Sequence, residues 1–251
     1  MTKKYDVAVV GATGVVGESM LEILAERNFP VGKVYALASE RSVGKTVDFG
    51  NRELVVEDLA EFDFSKVQIG LFSPGASVSE VYAPKAAEAG CVVIDNTSRF
   101  RYDDDIPLVV PEVNGDAIAG YKTRGIIANP NCSTIQMVVA LKPIYDAVGI
   151  ERVNVCTYQA VSGAGRDLIE DLVHETATLL NGRPLERKGP TKQIGFNVIP
   201  HIDVFLDNRY TKEEMKMVWD CLLYTSDAAD EYNPVEVAGG GGGVGGGGGG
   251  G

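Results

Sequence analysis

The chain of 251 residues has only two histidines, one tryptophan and four cysteines. Cys91, Cys132, Cys156 and Cys221 show no CxxC or other ligand spacing, and His174 and His201 are the only imidazoles that could join them. No metal site is expected from that set. Bases are outnumbered, with 23 Lys and Arg against 35 Asp and Glu, a net charge of −12 and a pI near 4.7. This balance argues against nucleic acid or an anionic membrane as the main partner. No run is apolar for the length a membrane helix needs, and the opening MTKKYDVAVVG enters a strand without an apolar leader. A soluble, cytoplasmic chain is the expectation.

What is present suits a globular protein: 45% of residues are hydrophobic and 23% charged. YDVAVVGATGVVGESMLEILAERN reads as a buried strand at about 5–10, a glycine turn, and a helix with Val16, Met20, Ile23 and Leu24 on one face. KVYALAS, VQIGLFSPG (67–75) and CVVIDNTS (91–98) read as further strands, the last two separated by the helical VSEVYAPKAAEAG. Strands alternating with helices predict an α/β fold with a Rossmann-type doubly wound parallel sheet over residues 1–130. After STIQMVVALKPIYDAVG the pattern changes. ERVNVCTYQAV (151–161) reads as an extended strand and RDLIEDLVHETATLLNG as a long amphipathic helix ended by Gly182. An incomplete α+β catalytic or dimerisation domain is expected over 131–220, with a long loop through 183–200.

Residues 221–251 differ in character. Twelve of the 13 residues from Gly239 onward are glycine, broken by Val244. Before them, CLLYTSDAADE (221–231) has neither period 2 nor a sustained helical period. It resembles the translation of a transposase-type sequencing adaptor: one choice of codons for CLLYTSDA spells TGTCTCTTATACACATCTGACGCT. The expectation is a native frame stopping near Trp219 or Asp220, followed by a foreign, disordered tail. A natural glycine-rich linker is the other reading. Without the tail the chain remains acidic.

GATGVVG places Gly11, Gly14 and Gly17 directly after a strand and at the opening of a helix. Bare amides at a helix N-terminus receive a pyrophosphate, and side chains would block its approach. The spacing is GxxGxxG rather than GxGxxG, so the match is to a variant; a turn that merely packs helix on strand is the alternative. At the end of the second strand, where NAD sites place an acid, the sequence is ALASERSVGK. Ser39, Arg41 and Ser42 set a guanidinium between two hydroxyls, which suits the 2′-phosphate of NADP. Glu40 keeps NAD open, and a plain solvated surface turn is the alternative reading.

In ANPNCSTIQM (128–137), Asn129-Pro130-Asn131 favours extended and turn conformations before a helix. Cys132 then falls at the helix N-terminus, where dipole and amides stabilise a thiolate. Cys91 and Cys156 lie in apolar strands and read as core. A thiolate beside a nicotinamide suggests one reaction class, in which the thiolate adds to an aldehyde, hydride leaves, and an acyl-thioester remains.

GATGVVG, SERSVGK, LFSPG, DNTSRFR, VPEVN, IIANPNCSTIQM and TYQAVSGAG, in this order from about residue 4 to 219, closely resemble the bacterial aspartate-semialdehyde dehydrogenases. N-acetyl-glutamyl-phosphate reductases share the glycine turn but set their cysteine in a PGCY-like context, and glyceraldehyde-3-phosphate dehydrogenases use an SCTTN-like one. The resemblance implies NADP-dependent, reversible reductive dephosphorylation of aspartyl-4-phosphate to aspartate-4-semialdehyde, on the route to lysine, threonine, methionine and diaminopimelate, in a homodimer. It assigns Cys132 as nucleophile, Gln159 as the residue orienting substrate at the acyl centre, and Arg101 as a phosphate ligand. Glu214 and Lys216, in KEEMKMV, would meet the substrate amino group and the phosphate. The cofactor would be held by Gly11, Thr13, Gly14, Val15, Val16 and Gly17, by Ser39, Arg41 and Ser42, by Ser73, Gly75 and Asn96, and by Ser162, Gly163 and Gly165.

Plainer readings stand beside these roles. Arg101 precedes DDD (103–105) and could form a surface ion pair; Glu214 and Lys216 could be solvated; Gln159 could be a strand-rim residue. The family's general acid/base lies in an RGH-like segment, which also supplies an arginine for the substrate carboxylate, and no RGH occurs among these residues. Little or no activity is therefore expected of this chain. A different acyl-phosphate reductase, or a nucleotide-binding module without catalysis, remain the alternatives.

Overall fold

The computed structural model describes residues 3–186, 192–225 and 236–239. The chain divides into two compact units, Met1–Lys142 and Pro143–Gly251. No helix among the described residues is long and apolar enough to cross a membrane.

The first unit is built on strands β1 (Tyr5–Val10), β2 (Val31–Ala38), β3 (Thr46–Phe49), β4 (Arg52–Asp58), β5 (Ile69–Phe72), β6 (Val92–Asp95) and β7 (Ile126–Ala128). Their order in the sheet is β3-β4-β2-β1-β5-β6-β7. All neighbours are parallel except the β3–β4 hairpin, which adds an antiparallel edge. Val7 to Val10 of β1 are fully buried, as a central parallel strand covered on both faces requires. From β1 the chain winds outward through β2 to β4, then returns to the other side of β1 as β5, β6 and β7. The order therefore reverses between β1 and β5, and such a reversal places a ligand crevice outside the carboxyl ends of those strands.

Helix α1 (Val15–Glu26) connects β1 to β2. Its buried face is not the expected one. Gly17 and Leu21 are buried, with Met20 and Leu24 packed partly against Val9, Ala36 and Phe49, whereas Val16 is 42% and Ile23 46% exposed. The stripe 17, 20, 21, 24 keeps the helical period but runs through Gly17, which has no apolar side chain to mark it in the sequence. Helix α2 (Ala76–Glu88) lies between β5 and β6, a single turn α3 (Pro111–Asn114) follows, and α4 (Cys132–Val148) begins after β7. The division between units falls within α4.

The second unit contains β8 (Arg152–Val155), α5 (Arg166–Leu180), α6 (Lys212–Thr225) and β9 (Glu236–Gly239), with β9 parallel to β8. The strand expected over 151–161 is four residues long, and Cys156 lies beyond its end and is exposed. Cys156 is not the core residue its apolar neighbours suggested. Helix α5 forms where expected, but none of its residues is fully buried. Its Glu175 accepts backbone N–H bonds from Ile194 at 2.7 Å and Gly195 at 2.8 Å. That carboxylate pins part of the long loop; residues 187–191 of the loop lie outside the described ones. Within the stretch expected to be a disordered tail, residues 221–225 continue α6 and 236–239 form β9. The rest of that stretch lies outside the described residues.

Candidate active site

The site residues expected in the first unit collect at one edge of the sheet, because each follows the carboxyl end of a parallel strand. Gly11 follows β1, Ser39 follows β2, Ser73 follows β5, Asn96 follows β6, and Asn129 to Cys132 follow β7. The sheet ladder continues one bond past the strands: Ser73 N–H donates to Val10 O at 2.9 Å, Asn96 to Phe72 O at 2.8 Å and Asn129 to Asp95 O at 2.8 Å. Three loops are thus pinned to their neighbours just where they leave the sheet.

Between β1 and β5 no side chain could be accommodated at Gly11 or Gly17. A Cβ on Gly11, whose φ is +84°, would lie 2.7 Å from the Ser73 carbonyl oxygen. One on Gly17 would overlap the Gly11 carbonyl oxygen and sit 2.8 Å from Ala12 Cα. The turn is this tight because Gly11 and Ala12 both donate to Leu37 O, at 2.9 and 3.1 Å, and Gly14 donates back to Gly11 O at 3.0 Å. Helix α1 opens at Gly14 with no side-chain cap, so the Val15, Val16 and Gly17 amides have no intrahelical acceptor. Helix α2 opens likewise at Gly75, with φ +96° and open space where a Cβ would stand. Two uncapped helix N-termini therefore follow the two strands that flank the reversal. Thr13, between Gly11 and Gly14, is half-buried. This cradle of backbone amides, closed to side chains, fits a dinucleotide pyrophosphate.

Ser39 N-caps a single 3₁₀ turn, Glu40–Ser42, and Ser42 N–H donates to Ser39 O at 2.8 Å. Arg41 and Glu40 are both exposed on it. The turn offers one cation and one anion, and its geometry alone does not choose between a ribose hydroxyl and a 2′-phosphate.

Arg101 is 7% exposed, so it is not a solvated surface residue. Its Nε donates to Asn129 O at 2.9 Å and an Nη to Asn96 O at 3.1 Å. Arg99 and Arg124 take acidic side chains: Arg99 pairs with Glu80 and Asp103, Arg124 with Asp105. The guanidinium of Arg101 joins the loops after β6 and β7, and Asn129 Nδ2 reinforces the join by donating to Asn96 Oδ1 at 2.6 Å. Sequence reasoning missed Asp95, which ends β6 and is fully buried. Burial raises its pKa above the ordinary carboxylate value, against the opposing hydrogen bonds of Thr97 and Ser79 and the charge of Arg101.

Asn131 Oδ1 accepts from the Ser133 amide at 2.9 Å and the Thr134 amide at 3.4 Å, and Ile135 N–H donates to Asn131 O at 3.0 Å. Asn131 is therefore the N-cap of α4, and Cys132 is its first helical residue. The Cys132 thiol is exposed. Cys91, by contrast, is buried at the start of β6, and burial pushes its thiol up to about 12. Buried Cys221 is also raised, by burial and by neighbouring Asp220. Behind Cys132, the buried Thr134 hydroxyl has no hydrogen-bond partner.

The second unit carries the remaining expected residues. Gln159, half-buried, lies after β8 rather than within it; Ser162 and Gly163 form a 3₁₀ turn, Val161–Ala164, and Gly165 precedes α5. Glu214 is engaged in a capping box at the start of α6. Its Oε2 accepts from Thr211 N at 2.7 Å and Thr211 Oγ1 at 2.8 Å, while Glu214 N donates to Thr211 Oγ1 at 3.2 Å. Lys216 Nζ lies 2.9 Å from Asp203 Oδ2 and 3.1 Å from Glu213 Oε2. Burial works against its charge, but those two carboxylates outweigh it and raise Lys216 above the ordinary lysine value. Neither side chain of α6 is merely solvated.

An exposed cysteine at a helix start, on the carboxyl edge of a doubly wound sheet, fits a semialdehyde-dehydrogenase class of protein. Two family models agree: the semialdehyde dehydrogenase NAD binding domain matches residues 6–121, and its dimerisation domain residues 141–230. The chain is 61% identical to aspartate-semialdehyde dehydrogenase of Legionella pneumophila over 237 residues, covering 94% of this chain and 68% of that protein. The crystal structure of aspartate semialdehyde dehydrogenase II from Vibrio cholerae, complexed with ASA, superposes with a TM-score of 0.84 at 63% identity, over 88% of this chain and 66% of that one. The Candida albicans enzyme, crystallised with NADP, superposes with a TM-score of 0.56 at 29% identity, over 64% of this chain and 52% of that one. The chain belongs to the aspartate-semialdehyde dehydrogenase family and spans about two thirds of the length of its bacterial relatives.

Proposed function

We propose that this chain carries the nucleophile and cofactor edge of an NADP-dependent aspartate-semialdehyde dehydrogenase, with Cys132 forming a thioester with the substrate. The observation that carries the reading is an exposed cysteine at the first position of α4, on the same sheet edge as the Gly11–Gly17 turn. In the reductive direction the Cys132 thiolate attacks the carbonyl of aspartyl-4-phosphate and phosphate leaves. A nicotinamide cofactor held at the Gly11–Gly17 turn would supply the hydride that reduces the thioester, and the Cys132 sulfur is the leaving group as aspartate-4-semialdehyde forms. Asn131 caps α4 and so sets Cys132 at its first turn. Arg101 and Lys216 are proposed for the phosphate, Glu214 for the substrate amino group and Gln159 for orientation at the acyl carbon. For Glu214 and Lys216 this requires leaving the Thr211 and Asp203 contacts they make in this structure.

The cofactor is proposed to be NADP, supported by Arg41 between Ser39 and Ser42 and by the NADP in the Candida relative. A homodimer in the cytoplasm fits the dimerisation-domain match and the four free cysteines. We further propose that turnover is slow. His174 lies exposed on α5, and His201 packs against Phe205 with ring centroids 5.3 Å apart; neither sits in an RGH-like segment. Losing a general acid/base costs on the order of 10²–10⁴-fold in rate.

The test is alkylation of the chain by iodoacetamide with peptide mapping. Rapid modification of Cys132, slowed by NADP with phosphate or aspartate semialdehyde, is expected; a slow, unprotected Cys132 would leave a binding module without catalysis. Family-like turnover in a steady-state NADPH assay would overturn the claim of slow turnover.

A further inference from the structure

Asp95 is fully buried at the end of β6, and the proposed chemistry does not use it. Both of its oxygens are occupied. Oδ1 accepts from Ser79 Oγ at 2.9 Å and Thr97 N at 3.2 Å, and Oδ2 accepts from Thr97 Oγ1 at 2.8 Å. Ser79, in the first turns of α2, is itself fully buried. Thr97 Oγ1 then accepts the Arg99 N–H at 3.2 Å, and the Arg99 side chain returns to α2 through Glu80 at 2.9 Å. A chain of bonds thus runs from Asp95 along alternate residues 97 and 99 and stitches the segment before Arg101 to α2.

From this network we infer that Asp95 is a positioning residue: it fixes the 96–101 segment so that Arg101 and Asn96 are held at the cysteine edge. The inference rests on the proposal that Arg101 receives the substrate phosphate there. The guanidinium of Arg101 donates to the Asn96 and Asn129 carbonyls. Those carbonyls stay in place only while the loops after β6 and β7 do. Asp95 reaches both loops, since its backbone oxygen also accepts the Asn129 N–H at 2.8 Å. The charge of Arg101 also acts on the Asp95 carboxyl.

An asparagine would fill the same space and keep one acceptor, so Asp95→Asn separates the carboxylate from the packing around it.

The experiment compares the full chain with Asp95→Asn, Thr97→Val and Thr97→Ser. It reads the melting temperature and the inorganic phosphate concentration that half-protects Cys132 from iodoacetamide. Asp95→Asn and Thr97→Val are expected to raise that concentration about tenfold, as loss of a charge-supported ligand does. Thr97→Ser, which keeps the hydroxyl, should stay within about twofold of the parent, and Asp95→Asn should melt no lower than the parent. Protection at the parental concentration in both Asp95→Asn and Thr97→Val would overturn the inference. A lowered melting temperature in Asp95→Asn, with Thr97→Ser weakened as much as Thr97→Val, would reduce Asp95 to a structural tie. A parent chain that phosphate does not protect at all would overturn the phosphate reading of Arg101, and this inference with it.

Discussion

Replacing Asn131 by alanine separates the cap of α4 from the cysteine it precedes. The cap loses the bond from the Ser133 amide at 2.9 Å and the weaker one from Thr134 at 3.4 Å. An N-cap asparagine contributes about 1 kcal/mol. Here the loss is larger, because Asn131 is 6% and Ser133 9% exposed, so water has little access to the freed amide. A buried donor left unpaired adds roughly 1–3 kcal/mol. Together these give about 2–4 kcal/mol, or a melting temperature lowered by about 4–16 °C for a chain of this size. Asn131→Asp keeps the acceptor and sets a negative charge at a helix N-terminus, so it should melt within about 2 °C of the parent. Thermal unfolding by circular dichroism reads both variants, and hydrogen exchange at the Ser133 amide localises the effect. An alanine variant that melts with the parent, or an aspartate variant as weak as the alanine one, would refute the capping argument.

Gly17→Ala would drive a methyl into the Gly11 carbonyl and Ala12 Cα, backbone atoms that cannot rotate away; overpacking of this kind costs about 1–3 kcal/mol. Fluorescence titration should register at least about a tenfold loss of NADPH affinity, and unchanged affinity would disprove the role given to the turn. Thr211→Val removes the hydroxyl of the α6 capping box without changing volume, at about 1 kcal/mol. Amide exchange should accelerate at Lys212 to Glu214 and not in α5. Asp95 holds its proton more tightly folded than unfolded, so its contribution to stability is present at low pH and lost as pH rises through its raised pKa. The melting temperature of Asp95→Asn relative to the parent should therefore be higher at pH 8 than at pH 4, and the opposite order would show that the carboxylate is stabilised by its site. Peptide mapping after brief alkylation should find Cys132 and Cys156 modified and Cys91 and Cys221 spared; a reactive Cys91 would contradict the packing of β6.

The parts of the site that depend on local chain grammar were legible. GATGVVG between a buried strand and a helix announces a turn without side chains, and Asn131 after a proline announces the start of α4 and the place of Cys132. What depends on which strand lies beside which was not. Arg101 is 28 residues from the Asn129 carbonyl it grips, and nothing in DNTSRFR distinguishes that grip from an ion pair with DDD. Asp95 is hidden for the same reason: its burial follows from the strand order β5-β6-β7. Cys156 was misplaced because apolar alternation does not reveal that the chain leaves β8 at Val155. The β3–β4 hairpin went unnoticed although Gly50-Asn51 between Val47, Phe49, Leu54 and Val56 carries a turn signal. Glu214 could have been recognised as a cap from Thr211 three residues before it.

The central claim is that Cys132 carries the acyl group. Incubation of the chain with aspartate semialdehyde and NADP, acid quenching and peptide mass analysis test it directly. A thioester-linked aspartyl group on the peptide containing Cys132, absent without NADP and absent in Cys132→Ser, is the predicted result. An aspartyl group at Cys156 instead, or on Cys132 irrespective of NADP, would contradict the account.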